Sequence, residues 1–163
     1  MLRISFMLML ALFSLAFVPL SVASSNQDKI DWILKAETAP FGVVFEVVEG
    51  EGDALNWAIP QIKKFASQLR KRYPDMGIAV VSHGSEQFAL TKDKEKKFEQ
   101  VHKLVKSLSQ DEDIPVHVCG THASWRNKSA KDFPNYVTVS PAGPTEIRNY
   151  EDMGYELVVL DKP

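Results

Sequence analysis

Apolar runs of five to eight residues alternate along this chain with segments whose apolar residues recur at helical spacing. The runs are rich in β-branched residues and are bounded by Gly, Pro, Asn or Asp, which is typical of β-strands. They predict five strands, at 41–48, 76–82, 115–119, 136–140 and 155–160. Strands that alternate with helices favour right-handed crossovers and a parallel sheet covered on both faces. The pattern therefore predicts a three-layer α/β/α domain with a mainly parallel five-stranded sheet.

Two amphipathic helices are predicted after the first two strands. Their apolar stripes are Leu55, Ala58, Ile59, Ile62, Ala66 and Leu69, and then Phe98, Val101, Leu104, Val105 and Leu108. Proline is tolerated only near the start of a helix, so Pro60 favours Asn56 over Asp53 as the cap of the first one. Shorter helices are predicted at 27–36, from about Thr121, and from Pro144 to a stop at Gly154.

Residues 1–23 have the pattern of a secretory signal peptide. A basic start is followed by an apolar run over 6–20, by Pro19, and by Ser-Val-Ala at 21–23, which places small residues where a signal peptidase reads them. The alternative, an uncleaved membrane anchor, requires roughly 20 apolar residues, more than this run provides. We expect cleavage before Ser24, a single α/β domain over 24–163, no membrane attachment after cleavage, and a periplasmic or secreted location.

The charge of the chain disfavours several classes of partner. Loss of Arg3 with the signal changes the formal net charge from −2 to −3, which is too close to neutral to indicate a nucleic-acid or anionic-membrane partner.

The glycine-rich turn "EGEGDALN" (49–56) carries Glu49, Glu51 and Asp53, and these carboxylates would repel a bound phosphate. It has neither the dinucleotide-binding glycine fingerprint nor the Gly-Lys-Ser/Thr ending of a nucleoside triphosphate site. We therefore predict no nucleotide or flavin cofactor.

The turn after the second strand carries the first candidate site residue. In parallel α/β sheets, ligands bind beyond the carboxyl ends of the strands. His83 and Gly84 follow the second strand in "SHGSEQFAL" (82–90). His83 either caps the turn through a backbone partner or takes part in a site at the same sheet edge as Cys119. Gly84 either adopts a backbone angle that other residues avoid or lets another group come close.

The only cysteine, Cys119, ends the third strand. A helix capped by Thr121 would place backbone amides near its sulfur, and His122 would add a proton acceptor or a cation, an environment that favours the nucleophilic thiolate. The alternative is a small buried hydrophobic residue without reactivity. A metal site built from Cys119, His122 and His117 is a third interpretation, but structural zinc needs four ligands. We predict no bound metal.

At these residues the chain resembles the DsrE/DsrF-like sulfur-relay proteins. The resemblance covers nearly all of 24–163. It rests on the first strand and its amphipathic helix, on "VVSHG", on "IPVHVCGTHASWR", and on "VTVSPAGPTEIRNYEDMGYELV". The signal peptide and the bulky "HASWRNKS" after the cysteine depart from relatives that act in the cytoplasm. These departures leave open the sulfur donor, the acceptor and the shape of the pocket.

The resemblance implies a DsrE-like α/β fold, a trimer-based homo-oligomer, and sulfane sulfur carried as a persulfide on Cys119. The partners would then be thiol or persulfide donors and acceptors, either proteins or small sulfur compounds. His83 is carried over from the family without an assigned role, and His122 is a candidate from its position alone. The competing hypothesis is a non-catalytic oligomeric binding module, for a metal or a periplasmic partner, in which Cys119 is buried and inert.

Overall fold

A computed structural model describes residues 25–162, in which five parallel strands form one sheet. The strands are β1 Gly42–Val47, β2 Gly77–Ser82, β3 Val116–Cys119, β4 Thr138–Ser140 and β5 Tyr155–Val159. Their order is β4-β3-β2-β1-β5, and each neighbouring pair is parallel. The five predicted strands are confirmed. The predicted signal peptide lies outside the described residues.

Five α-helices accompany the sheet in the described part of the chain. They are α1 Asn26–Leu34, α2 Leu55–Arg72, α3 Glu99–Gln110, α4 Gly120–Trp125 and α5 Gly143–Asp152. Short 3-10 turns follow β2, at Ser85–Leu90 and Lys92–Lys94, and precede β4, at Ala130–Asp132. Between residues 25 and 162, no helix has the length and apolar character that crossing a bilayer requires.

The alternation of side chains along β1 divides the core between the two faces of the sheet. Val43, Phe45 and Val47 join the apolar stripes of α2 and α3 in the larger cluster. Val44 lies on the other face with Ile147 of α5 in a smaller cluster. Burial of both faces explains why the strands read as nearly continuous apolar runs. The predicted three-layer α/β/α architecture is confirmed.

The predicted cap of α2 is wrong. The helix begins at Leu55 with Ala54 as its cap residue, and no side chain caps it. Ala54 and Leu55 are buried, whereas Asn56 and Pro60 are exposed. Burial of the apolar residues therefore determines where the helix starts. Water can bind the Asn56 carbonyl, which Pro60 leaves without an N–H donor.

Candidate functional site

Four segments meet at the carboxyl edge of the sheet around a pocket of about 590 Å³. Its walls come from residues 48–50 after β1, residues 83–85 after β2, Cys119 with α4, and the start of α5. His83, Cys119 and His122 all line this pocket. The structure thus brings together the three candidate residues, which lie up to 39 positions apart in the sequence.

Cys119 lies at the point where β3 passes into α4. Its backbone N–H donates to Oε1 of Gln87 at 2.8 Å. Its Sγ accepts a hydrogen bond from the backbone N–H of His122 at 3.4 Å, so Cys119 itself is the cap of α4. The prediction that Thr121 caps this helix is wrong, because the Thr121 hydroxyl donates to the Pro141 carbonyl. The side chain of Cys119 is nevertheless largely buried, with 5% of the residue exposed.

His122 is held in one orientation by hydrogen bonding and packing. Its Nδ1 lies 2.9 Å from the carbonyl oxygen of His83. A carbonyl only accepts hydrogen bonds, so Nδ1 carries a proton, and in the neutral ring Nε2 holds the free lone pair. Phe88 packs against the ring in a T-shaped arrangement and Trp125 packs against it at a tilt, with centroids 5.0 and 5.5 Å away. His122 therefore lines the same pocket as Cys119 with its ring held in one orientation.

His83 is engaged by a carboxylate. Its Nε2 lies 2.6 Å from Oε1 of Glu46, and both side chains are mostly buried. The expectation that His83 caps the turn through a backbone partner is wrong for its side chain. Its backbone has the positioning role instead, because the His83 carbonyl accepts the bond from His122. Gly143 of α5 packs directly on the His83 side chain, where a Cβ would lie only 2.5 Å from the Cβ of His83.

Sequence reasoning missed Glu86, whose carboxylate lies fully buried between the turns after β1 and β2. One of its oxygens accepts from the Ser82 hydroxyl at 2.7 Å and the Gly84 N–H at 3.0 Å. The other accepts from the Glu49 N–H at 2.8 Å. Burial raises the pKa of Glu86 above its ordinary value, although these donors oppose the shift. Glu86 therefore fixes two walls of the pocket relative to each other.

Sequence reasoning also missed Gln87, whose side chain bonds to the backbone of Cys119. Its side chain is fully buried, and its Oε1 accepts from the Cys119 N–H. Within residues 25–162 its Nε2 has no hydrogen-bond partner. Carboxylates and amides in turns usually face water, so the letters of "SHGSEQ" contain no signal that distinguishes a buried Glu-Gln pair from an exposed one.

Both ring nitrogens of His117 are engaged in hydrogen bonds with neighbouring side chains. Its ring nitrogens bond to the Ser140 hydroxyl and the Tyr150 hydroxyl, each at 2.9 Å. Burial lowers the pKa of His117, although the nearby Glu146 opposes the shift. Across residues 25–162, no cluster of three or more His, Cys, Asp or Glu side chains is arranged to hold a metal ion.

The sequence matches no model of a known protein family, and no curated protein matches it. Several solved structures do match. MTH1491, a protein of unknown function from Methanobacterium thermoautotrophicum, is 18% identical with a TM-score of 0.56, and the alignment covers 72% of this chain and 96% of that one. The YchN protein from E. coli is 10% identical with a TM-score of 0.52, and the alignment covers 73% and 98% of the two chains.

A third structure is BT1422, a conserved protein of unknown function from Bacteroides thetaiotaomicron. It is 14% identical with a TM-score of 0.54, and the alignment covers 77% of this chain and all of that one. Together the three similarities and the strand order confirm the predicted DsrE-like α/β fold. At these identities they show the fold alone.

Proposed function

We propose that this protein carries sulfane sulfur as a persulfide on Cys119 and transfers it to a thiol acceptor. The observation that carries the proposal is the position of Cys119 in the pocket. Its Sγ accepts the His122 N–H, and the His122 ring lies in the same wall. A hydrogen bond from an amide stabilises a thiolate more than a neutral thiol, because the acceptor is charged. The thiolate is the form that attacks sulfur electrophiles.

The proposed loading step is an exchange at sulfur. The Cys119 thiolate attacks the outer sulfur of a donor persulfide, R–S–S–H. A bond forms between Sγ and that sulfur while the donor S–S bond breaks, which gives Cys119–S–S–H and the thiolate R–S⁻. The Cys119 sulfur is oxidised, and the donor sulfur that remains bonded to R is reduced. No other oxidant is therefore needed. The proton lost by Cys119 goes to the free Nε2 of His122 and then to R–S⁻.

Burial of Cys119 favours a second candidate function, a non-catalytic binding module in which Cys119 is inert. With 5% of the residue exposed, Cys119 has the accessibility of a packing residue. Under this alternative the pocket binds a ligand without covalent chemistry. Export from the cell is compatible with either function and is proposed from the signal-peptide pattern of residues 1–23. A trimer-based oligomer is also compatible with either function and is proposed from the DsrE/DsrF-like resemblance.

Loading of reduced native protein decides between the two functions. After incubation with a small persulfide donor, we expect intact-mass spectrometry to show a gain of one sulfur atom that a reductant removes. A small alkylating reagent added first should block this gain, because the single thiol is the acceptor. If Cys119 is alkylated only after denaturation and never gains sulfur while folded, the relay function is wrong and the binding module stands.

Replacing His122 with asparagine should slow loading at neutral pH by about a hundredfold, the lower end of the range for general acid–base catalysis. The asparagine amide can replace Nδ1–H as the donor to the His83 carbonyl, but it provides no basic nitrogen. Rapid-mixing mass spectrometry across a pH series should show the deficit shrinking as the pH rises, because hydroxide then deprotonates Cys119 directly.

The matched control for this variant is Ser124→Ala on the exposed side of α4, which should load at the wild-type rate. Denaturant unfolding should place both variants within about 1 kcal/mol of the wild type. A His122→Asn protein that is equally stable and loads as fast as the wild type at every pH would remove His122 from the mechanism.

A further inference from the structure

We propose that this pocket selects uncharged organic persulfides with an apolar body and disfavours anionic donors such as thiosulfate. This inference rests on the proposed function, since it names the class of sulfur donor that Cys119 meets. It follows from the composition of the pocket walls, from the charges around them, and from the limited exposure of the sulfur-bearing residue.

The pocket walls contain apolar groups that water reaches. Val48 is 50% exposed and Trp125 is 75% exposed, and both line the pocket with Ala142 and Pro144. A volume of about 590 Å³ is within the range of small-molecule sites. An aromatic or aliphatic group bound here would cover Trp125 and Val48 and remove their surface from water. The pocket therefore fits a ligand with an apolar body.

The charges of the pocket oppose an anion. Glu49 lines the pocket, whereas no lysine or arginine among residues 25–162 does. The guanidinium of Arg126 lies over the Phe88 ring, 4.3 Å from its centroid, and donates to the Ser85 hydroxyl. The backbone N–H groups of Glu49 and Gly84, which otherwise suit anion binding, already donate to the Glu86 carboxylate. In the loading step the His122 imidazolium is balanced by the Cys119 thiolate, so within residues 25–162 a dianion would meet the negative charge of Glu49 without a lysine or arginine of the pocket wall to compensate.

The limited exposure of Cys119 adds a size criterion. A residue that is 5% exposed admits a small reagent through the pocket more readily than a thiol on a folded partner protein. The reactive form of the donor is the protonated R–S–S–H, because a terminal S⁻ would repel the Cys119 thiolate. Transfer of its outer sulfur gives Cys119–S–S–H and R–S⁻, as in the loading step. The negative charge of Glu49 in the pocket wall favours this uncharged form over an anionic one.

The test compares three donors: benzyl persulfide, glutathione persulfide and thiosulfate. Each loading rate is divided by the rate at which the same donor transfers sulfur to N-acetylcysteine, which removes differences in intrinsic reactivity. We expect the normalised rate with benzyl persulfide to exceed the other two by about tenfold. Trp125→Ala should remove most of this advantage, and Glu49→Gln should raise the rate with thiosulfate. The matched controls are Trp32→Ala, which changes an exposed tryptophan outside the pocket, and Glu51→Gln in the same turn as Glu49.

A second measurement separates the inference from the proposed function. Binding of benzyl methyl sulfide, which transfers no sulfur, is followed by calorimetry with the Cys119→Ser protein. Loading with equal normalised rates for all donors would overturn the selectivity and leave the relay intact. If the wild type gains no sulfur but the sulfide binds in a way that depends on Trp125, the relay is overturned and the preference for apolar ligands is supported. Absence of both loading and binding would overturn both.

Discussion

Replacing Glu86 with alanine should lower the free energy of unfolding by about 3–5 kcal/mol. The substitution leaves the Ser82 hydroxyl and the Gly84 and Glu49 N–H groups without their acceptor. Ser82 and Gly84 are buried, so unbonded donors there are costly. Urea unfolding followed by circular dichroism measures the loss. Ser82→Ala is the matched control, which should lose only about 1 kcal/mol because Glu86 keeps its backbone donors.

The same carboxyl should produce a pH dependence with a defined sign. Burial raises the pKa of Glu86 above its ordinary value of 4.5, so between these two values the folded state binds more protons than the unfolded state. Stability from this group is therefore complete below pH 4.5 and is lost as the pH rises through the raised pKa.

The stability of the wild type relative to Glu86→Gln should accordingly fall as the pH rises from 4.5. Comparison with this variant cancels the opposite contribution of carboxyls such as Asp28 and Asp132, whose pKa values are lowered by hydrogen bonds from Ser25 and Ser129. A difference that grows with pH would mean that Glu86 is stabilised as a carboxylate, and that its hydrogen-bond donors outweigh its burial.

Replacing Gly84 with alanine should cost about 3 kcal/mol or more and should disturb the pocket. The two expectations for this glycine were an unusual backbone angle or a close approach. Its φ of −85° is available to any residue, so the second is correct. An added Cβ would lie 2.5 Å from the Glu49 nitrogen and 2.6 Å from its oxygen. Because these atoms belong to the backbone, the turns after β1 and β2 would have to separate.

The control for this variant is Gly50→Ala in the neighbouring wall of the pocket, which follows β1. A Cβ at Gly50 would meet no heavy atom within 4 Å, so this change should alter stability by less than about 0.5 kcal/mol. Thermal unfolding and the rate of sulfur loading should both fall in Gly84→Ala and remain near wild type in Gly50→Ala. Equal effects of the two substitutions would contradict the close packing of the turns.

The position of Cys119 shows how much of the site was predictable. A run such as "PVHVC" identifies a buried strand because both faces of a parallel sheet are covered. Since all the strands run in one direction, the residues after them meet at one edge. That rule placed His83, Cys119 and His122 together without knowledge of the strand order. The helix stop at Gly154, where φ is +87°, was likewise predictable from local chemistry.

Contacts between distant segments were not predictable, because residue type alone does not specify a partner. The chain pattern determined the five strands, the long helices and the edge that carries the thiol, since periodicity and turn chemistry act between near neighbours. Tertiary packing decided that Glu86 and Gln87 lie buried, that His83 bonds to Glu46, and that Cys119 caps α4. Each of these outcomes depends on which groups the fold removes from water, because a buried polar group must find its partner within the protein.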